Sequence, residues 1–176
     1  MRDDLIIRRE GPDDADPTLA LHDTAFGIPQ GRRESFEREL LRGLRDDDSI
    51  IDELTFVAEL EGEVVGHVVC SRATLGAAPS VGLGPIAVLP GHQQQGIGAA
   101  LLMSVVASAE RLAEPAVVLL GDPDYYAFFG FVPAARYGIG SPGSWPQEHF
   151  QALTLRAWRP ELAGPFRYAP AFERLG

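Results

Sequence analysis

The feature that most constrains the fold of this chain is a glycine-containing turn between a strand-like and a helix-like segment. Residues 88 to 102 read VLPGHQQQGIGAALL, where a polar loop follows Pro90, and Gly96 and Gly98 precede an alanine- and leucine-rich run. Glycine costs about 0.5–1 kcal/mol relative to alanine inside a helix. Two glycines at a helix start therefore indicate that side chains are kept away from this turn.

A strand-to-helix turn of this composition is typical of a phosphate-binding site. The first N–H groups of a helix have no partner within the helix, and the helix dipole adds partial positive charge there. Gly96 and Gly98 would let phosphate oxygens reach the backbone without meeting a Cβ atom. Because the loop contains neither lysine nor arginine, the N–H groups would carry most of the binding, with His92 and the glutamines at 93 to 95 as further donors.

Two common phosphate motifs do not fit this loop. A P-loop requires a lysine after its second glycine, and none is present. A Rossmann fingerprint requires a third glycine, but G-I-G-A-A-L has Leu101 at that position. For a single glycine, an ordinary turn or tight packing would be the better explanation. Two at this spacing, on a strand-to-helix junction, favour the phosphate site.

The remaining sequence predicts a mixed α/β order around the turn. Runs rich in β-branched residues alternate with runs of helical periodicity, and Glu61-Gly62 separates two strands as a hairpin turn would. A short buried strand after the glycine-loop helix predicts a strand–helix–strand crossover. We expect strands at residues 5–9, 55–60, 64–75, 81–89, 116–121, 130–134 and 150–158, and helices at 14–26, 34–45, 96–113 and from about 122.

Composition narrows the classes of function. The chain has 176 residues, 45% of them hydrophobic, which predicts one globular domain over residues 1–176. A formal net charge of -10 argues against nucleic acid as a partner and is compatible with a cationic or amine substrate. No apolar run suggests a membrane span or a secretory signal at MRDDLIIRRE, and the single cysteine, Cys70, fits a reducing compartment. We therefore expect a cytoplasmic protein without a membrane partner.

Three segments in the right order resemble the GNAT superfamily of N-acetyltransferases. Gln93, Gly96 and Gly98 match the acetyl-CoA loop pattern [RQ]-x-x-G-x-[GA]. VVLLGDPDYYAFFGFVPA is similar to the next strand and helix of the family, with Tyr126 four residues before Gly130-Phe131. The hairpin EGEVVGH resembles the paired strands before the loop, and FRYAPAF near the end resembles one bacterial subgroup of predicted acetyltransferases.

The resemblance implies a fold and a cosubstrate. The fold would be one GNAT-like α/β domain with a mixed central sheet, helices on both faces, and central strands that splay apart. Acetyl-CoA would place its pyrophosphate on the loop amides and its pantetheine arm along the strand backbone before the loop, as an added strand does. The implied cofactor-binding residues are Ile86, Ala87, Val88, Gln93, Gln94, Gln95, Gly96, Ile97, Gly98, Ala99 and Tyr126.

The resemblance also implies direct attack of an amine on the thioester. Tyr126 is the candidate general acid for the CoA sulfur, since a phenol is protonated at neutral pH. Its alternative role is aromatic packing between helix and sheet. Glu59 and His67 are candidate bases, although an outward strand carboxylate and a hydrogen-bonded structural histidine are the plainer interpretations. The four histidines and Cys70 lack metal-ligand spacing, so we expect no metal.

Two functions from different classes use the same loop. The first is an N-acetyltransferase that acts on a primary amine of a small molecule or of a protein, with the acceptor and acyl-chain length open. The second is a non-catalytic acyl-CoA-binding regulatory module. Tyr126 favours the enzyme, because a binding module has no need of an acid at the sulfur. Dimers are common in the family, so a homodimer is a further expectation.

Overall fold

The computed structural model of the chain describes residues 4–175. Residues 1–3 and 176 lie outside this range. They are the ends of the predicted domain, and residues 1–3 also belong to the segment inspected for a secretory signal. The elements in chain order are β1 (Leu5–Arg9), α1 (Ala15–Phe26), α2 (Phe36–Asp46), β2 (Phe56–Leu60), β3 (Glu63–Leu75), β4 (Ala78–Val88), α3 (Ile97–Arg111), β5 (Ala116–Leu120), α4 (Pro123–Tyr126), β6 (Val132–Pro133), β7 (Ile139–Gly140), β8 (Phe150–Thr154), β9 (Gly164–Arg167) and α5 (Pro170–Glu173).

The strands form one mixed sheet in the order β1-β2-β3-β4-β5-β8-β6, with β9 paired to β3 and β7 paired to β9. Strands β1 to β4 are successively antiparallel, as the predicted hairpin requires. Strands β4 and β5 are parallel and are joined through α3. The predicted strand–helix–strand crossover is therefore confirmed.

Helices cover both faces of the sheet, as two neighbouring residues of β3 show. A Cβ atom on Gly66 would lie 3.1 Å from side-chain atoms of Ile97 and Leu101, so α3 packs closely on that face. The next residue, His67, contacts His22 of α1. Since successive side chains of a strand point to opposite faces, α1 and α3 lie on opposite sides. This confirms the predicted layered α/β fold.

The two central strands separate part-way along their length. Strand β4 pairs with β5 only at Val81–Val117 and Gly82–Val118. Beyond those pairs β4 continues beside β3 as far as Val88, and β5 continues beside β8 to its end at Leu120. The sheet therefore opens between β4 and β5, which confirms the predicted splay of the central strands.

Several element boundaries differ from the sequence expectation. Helix α2 starts two residues later than predicted, because Ser35 adopts an extended conformation and caps it by accepting the Arg38 N–H. The last predicted strand ends at Thr154 rather than at 158. Strand β9 and helix α5 were not predicted as elements, since four residues with a proline show no clear periodicity. None of the helices within residues 4–175 has the length and apolarity needed to cross a bilayer.

Candidate active site at the opening of the sheet

The loop between β4 and α3 presents a row of free backbone donors. The first hydrogen bond of the helix runs from the Ala100 N–H to the Gly96 carbonyl. Within residues 4–175 the N–H groups at positions 94 to 99 have no backbone acceptor. Apart from Gln95, the residues at these positions line a groove of about 360 Å³, which we call the loop groove. Unpaired N–H groups at the positive end of a fifteen-residue helix make this groove suitable for an anion.

The structure favours glycine at the two loop positions for different reasons. Gly96 has a φ of +83°, a left-handed conformation that residues with a Cβ rarely adopt, and its side-chain direction is open. Gly98 is helical, and a Cβ there would lie 3.1 Å from the hydroxyl oxygen of Tyr125. The second glycine therefore also makes room for a tyrosine, which the sequence did not indicate.

The glutamines of the loop stabilise its conformation with their side chains. Gln93 Nε2 donates to the Val88 carbonyl at 3.0 Å, and Gln95 Nε2 donates to the Gly91 carbonyl at 3.2 Å. Gln95 does not line the groove, in contrast to the other predicted loop residues. The residues that line the loop groove are Ile86, Ala87, Val88, His92, Gln93, Gln94, Gly96, Ile97, Gly98, Ala99 and Tyr125.

A second cavity, of about 660 Å³, lies where β4 and β5 separate, and we call it the splay cavity. It adjoins the loop groove, because Ile86 and Tyr125 line both. The β4 backbone at residues 86 to 88 pairs with β3 on one side, while on the other side β5 has already diverged. An extended ligand lying along this strand edge would thus run from the loop groove into the splay cavity.

Tyr126 lines the splay cavity at the end of α4. Its ring packs edge-on against Tyr125 and Phe131, and only 8% of the residue is exposed. Burial, followed by the nearby Tyr125 and Asp122, raises its pKa to about 12, so the phenol stays protonated at neutral pH. Its hydroxyl has no hydrogen-bond partner among the described residues. The predicted role as an acid and the packing role are therefore both compatible with this position.

The neighbouring Gly121 allows Tyr126 to occupy this site. A Cβ on Gly121 would lie 2.4 Å from Cε2 of the Tyr126 ring, a distance that real side chains do not adopt. The Gly121 carbonyl accepts a hydrogen bond from the buried Gln151 at 3.1 Å, which fixes the backbone at this point. The ring of Tyr126 is therefore positioned by a glycine that the sequence analysis left unassigned.

The two predicted bases lie away from the splay cavity. Glu59 on β2 is ion-paired with Arg8, at 2.9 Å between Oε2 and Nε. His67 is fully buried, with its Nδ1 2.9 Å from His22 Nε2 and its Nε2 3.4 Å from Glu10 Oε1. Neither lines the cavity, so the structure brings Tyr126 to the cavity but not these two candidates. Within residues 4–175 no three His, Cys, Asp or Glu side chains form a metal-holding group.

The cavity also contains polar residues that the sequence analysis missed. Glu37 of α2 and Asp122, which caps α4, are the carboxylates among its lining residues. Tyr168, from the segment between β9 and α5, contributes a third phenol besides Tyr125 and Tyr126, and burial raises its pKa. No local pattern marks Glu37, because it lies on a helix with several acidic residues. Tyr168 lies within the FRYAPAF segment, which was noted only as a resemblance.

Comparison with known families settles the relationship. The family model described as Acetyltransferase (GNAT) family matches residues 18–131. The chain belongs to the GNAT family of acetyltransferases. The matched segment contains the loop groove, both tyrosines and most of the splay cavity. Membership confirms the predicted class of this GNAT protein, an acetyltransferase with acetyl-CoA as cosubstrate.

Similar proteins extend the match over nearly the whole chain. This GNAT protein is 32% identical over 164 residues to the uncharacterized N-acetyltransferase YjhQ of Escherichia coli K12, covering 89% of this chain and 87% of YjhQ. It is 31% identical over 153 residues to the uncharacterized N-acetyltransferase YhbS of the same strain, covering 86% and 87%. Both similarities cover more of the chain than the segment that the family model matches.

Solved structures show the same fold. The crystal structure of Escherichia coli YhbS in complex with CoA superposes with a TM-score of 0.85 at 28% identity, covering 98% of this chain and 93% of that one. A GNAT family acetyltransferase from Brucella melitensis, in complex with acetyl-CoA, gives a TM-score of 0.75 at 31% identity, covering 96% and 97%. The architecture of this GNAT protein is therefore shared along its full described length.

Proposed function

We propose that the protein transfers the acetyl group of acetyl-CoA to a primary amine, with the diphosphate held in the loop groove and the acceptor held in the splay cavity. The observation that carries the proposal is the continuity of the two sites, which share Ile86 and Tyr125. The free N–H groups at positions 94 to 99 fit a diphosphate, and the unpaired edge of β4 fits a pantetheine arm. The complexes of YhbS with CoA and of the Brucella enzyme with acetyl-CoA support this assignment.

Bound acetyl-CoA supplies an activated acyl group, whose carbonyl carbon the amine nitrogen attacks while the bond to sulfur breaks. In the proposed mechanism Tyr126 donates its phenolic proton to the departing sulfur and regains a proton from water. The phenol is protonated at neutral pH, as a proton donor must be, and it lines the cavity in which we place the thioester. The backbone N–H near Val88 would polarise the acyl carbonyl.

The amine must also lose a proton, and the two predicted bases lie outside the cavity. Glu59 and His67 do not line the splay cavity, so either would have to act at a distance through water. Glu59 is also ion-paired with Arg8 on the neighbouring strand, which holds its carboxylate away from the cavity. We therefore propose that water in the cavity receives the amine proton, with Glu59 and His67 as the alternatives that substitution must separate.

The proposal includes the setting of the enzyme. One domain over residues 1–176 would work in the cytoplasm on an amine of a small molecule or of a protein. Cys70 is a free and fully buried thiol, and burial raises its pKa, which keeps it in the unreactive thiol form.

Thiol release in the presence of acetyl-CoA tests the proposed function. The protein is mixed with acetyl-CoA and a panel of primary amines, and free CoA thiol is followed with a colorimetric reagent while CoA affinity is measured by calorimetry. We expect tight CoA binding and amine-dependent release of thiol. Tight binding without release for every amine would instead identify an acyl-CoA-binding regulatory module. Failure to bind CoA at all would remove both functions.

A further inference from the structure

We propose that the acceptor is a monoamine with an apolar, ring-sized body, and that Glu37 attracts its ammonium group into the splay cavity. This inference rests on the proposed function, because it assigns a substrate class to the same cavity. The proposed substrate class follows from two properties of the cavity: its walls are mainly apolar, and its charged lining residues are negative, with Glu37 unpaired among residues 4–175.

The walls of the splay cavity are mainly apolar and aromatic. Three helices, two strands and the C-terminal segment contribute to them, and a volume of about 660 Å³ lies within the range of pockets for small organic ligands. The wall residues that decide the character of the pocket are Phe26, Leu40, Leu83, Pro85, Tyr168 and Phe172. A polyhydroxylated or multiply charged acceptor would leave most of its polar groups unpaired against these walls, at a cost in binding free energy.

The charge in the cavity is entirely negative. Neither arginine nor lysine is among its lining residues, whereas Glu37 and Asp122 are. Asp122 is exposed, and its Oδ1 already accepts the Asp124 N–H at 2.9 Å. Glu37 is therefore the carboxylate with free acceptor capacity in the half-buried part of the cavity.

Glu37 differs in this respect from the other glutamates of its helix region. Glu34 is ion-paired with Arg38 and Arg42, and Glu39 is ion-paired with Arg32. Among residues 4–175, no ion pair or side-chain hydrogen bond involves Glu37. A half-buried carboxylate without a partner, directed at a cavity with no positive charge, favours a cationic ligand.

These two properties together define the acceptor. A primary amine with a pKa near that of lysine is an ammonium ion at neutral pH, so Glu37 attracts it, and an apolar body buries against the aromatic walls. An amine that also carries a carboxylate is repelled by Glu37 and Asp122. Glu37 acts here as a specificity-determining residue that binds the charged acceptor, and the nitrogen reacts after it loses a proton to water.

A set of four acceptors tests the substrate class by kcat/KM in the thiol-release assay. 2-Phenylethylamine has the charge and the ring, phenylalanine adds a carboxylate, propylamine lacks the ring, and spermidine adds charges. We expect 2-phenylethylamine to be preferred over each of the others by at least about tenfold, the equivalent of 1.4 kcal/mol. Preference for phenylalanine or spermidine would overturn the inference while leaving the proposed acetyl transfer intact.

Replacement of Glu37 tests the assigned residue. Glu37→Gln should raise KM for 2-phenylethylamine about tenfold with kcat little changed, because a binding contact is lost. Glu39→Gln is the matched control on the same helix, and its KM should stay at the wild-type value. A fall in kcat at constant KM would overturn the inference, because Glu37 would then act in the chemistry. CoA affinity should be unchanged in both variants, which separates this test from failure of the cofactor site.

Discussion

The loop groove and the splay cavity adjoin each other, but they are built from different kinds of groups. The loop groove is made of backbone N–H groups from one short segment, positions 94 to 99, and its glutamine side chains serve to hold the loop. The splay cavity is made of side chains from α1, α2, β4, β5, α4 and the C-terminal segment. The difference suits the two proposed ligands: main-chain donors fit the diphosphate of a common cosubstrate, and side chains that differ between proteins fit a particular acceptor.

The largest expected effect comes from filling the loop groove. Gly96→Glu should weaken CoA binding by about hundredfold or more, because a carboxylate would occupy the diphosphate position and repel it. Gly76→Glu is the control, since Gly76 also has a left-handed φ and open space but precedes the opposite end of β4. Calorimetry with CoA measures both. Equal loss in the two variants would show that backbone strain, not the site, is responsible.

An intermediate effect is expected from Tyr126, which lines the splay cavity. Tyr126→Phe should lower kcat by about hundredfold, the range of a lost general acid, and leave CoA affinity unchanged. Tyr137→Phe serves as the control, because Tyr137 packs on Trp158 in a separate cluster of the core. Thiol-release kinetics and CoA titration give the two parameters. If turnover of the Tyr126→Phe variant equals that of wild type, Tyr126 is a packing residue and Tyr125 becomes the phenol to replace.

The smallest expected effect is on the pH dependence of stability, through a buried histidine that packs behind the splay cavity. His22 stacks on Phe26 of the cavity wall, and burial, followed by the neighbouring His67 and Arg45, lowers its pKa from 6.5 to about 3. The unfolded chain therefore binds a proton below pH 6.5 that the folded chain does not, and stability falls as the pH falls. We expect this group to cost about 1 kcal/mol of unfolding free energy between pH 7 and 5.5.

Urea denaturation at the two pH values measures that contribution. His22→Gln should remove about 1 kcal/mol of the pH dependence, whereas His149→Gln, in the loop before β8, should retain it. An unchanged pH dependence in the His22 variant would mean that other groups of the cluster, such as Glu10, account for acid sensitivity. His22 would then contribute to the wall of the splay cavity by packing on Phe26, without affecting how stability depends on pH.

The sequence predicted the order of the main strands and helices because their periodicity is local. It failed for β9 and α5, which are too short to show a period and form because β9 pairs with β3 and α5 packs against α2. It also assigned Gly98 to the ligand alone, whereas the structure adds the hydroxyl of Tyr125 as a neighbour. Contacts between residues distant in the chain leave no mark in a local pattern.

The residues of the candidate site also fall into those that a local pattern indicates and those that depend on contacts between distant segments. Gly96, the loop glutamines and Tyr126 were found because each lies at a fixed spacing within one segment. Glu37 was missed because its position on the cavity and its missing partner depend on five other elements, α1, β4, β5, α4 and α5, that surround the same cavity. Glu59 and His67 were selected for their residue type on central strands, and packing gave them partners elsewhere.

By itself the sequence predicted the family and the cosubstrate, and it marked the loop whose main chain we propose as the diphosphate site. The physical reason is that left-handed glycine geometry and free helix N–H groups are properties of a few consecutive residues. Only the tertiary structure decided where β4 and β5 part, which side chains line the opening, and which carboxylate there is unpaired. Those properties depend on burial and on distances between remote residues, and our proposal for the acceptor rests on them.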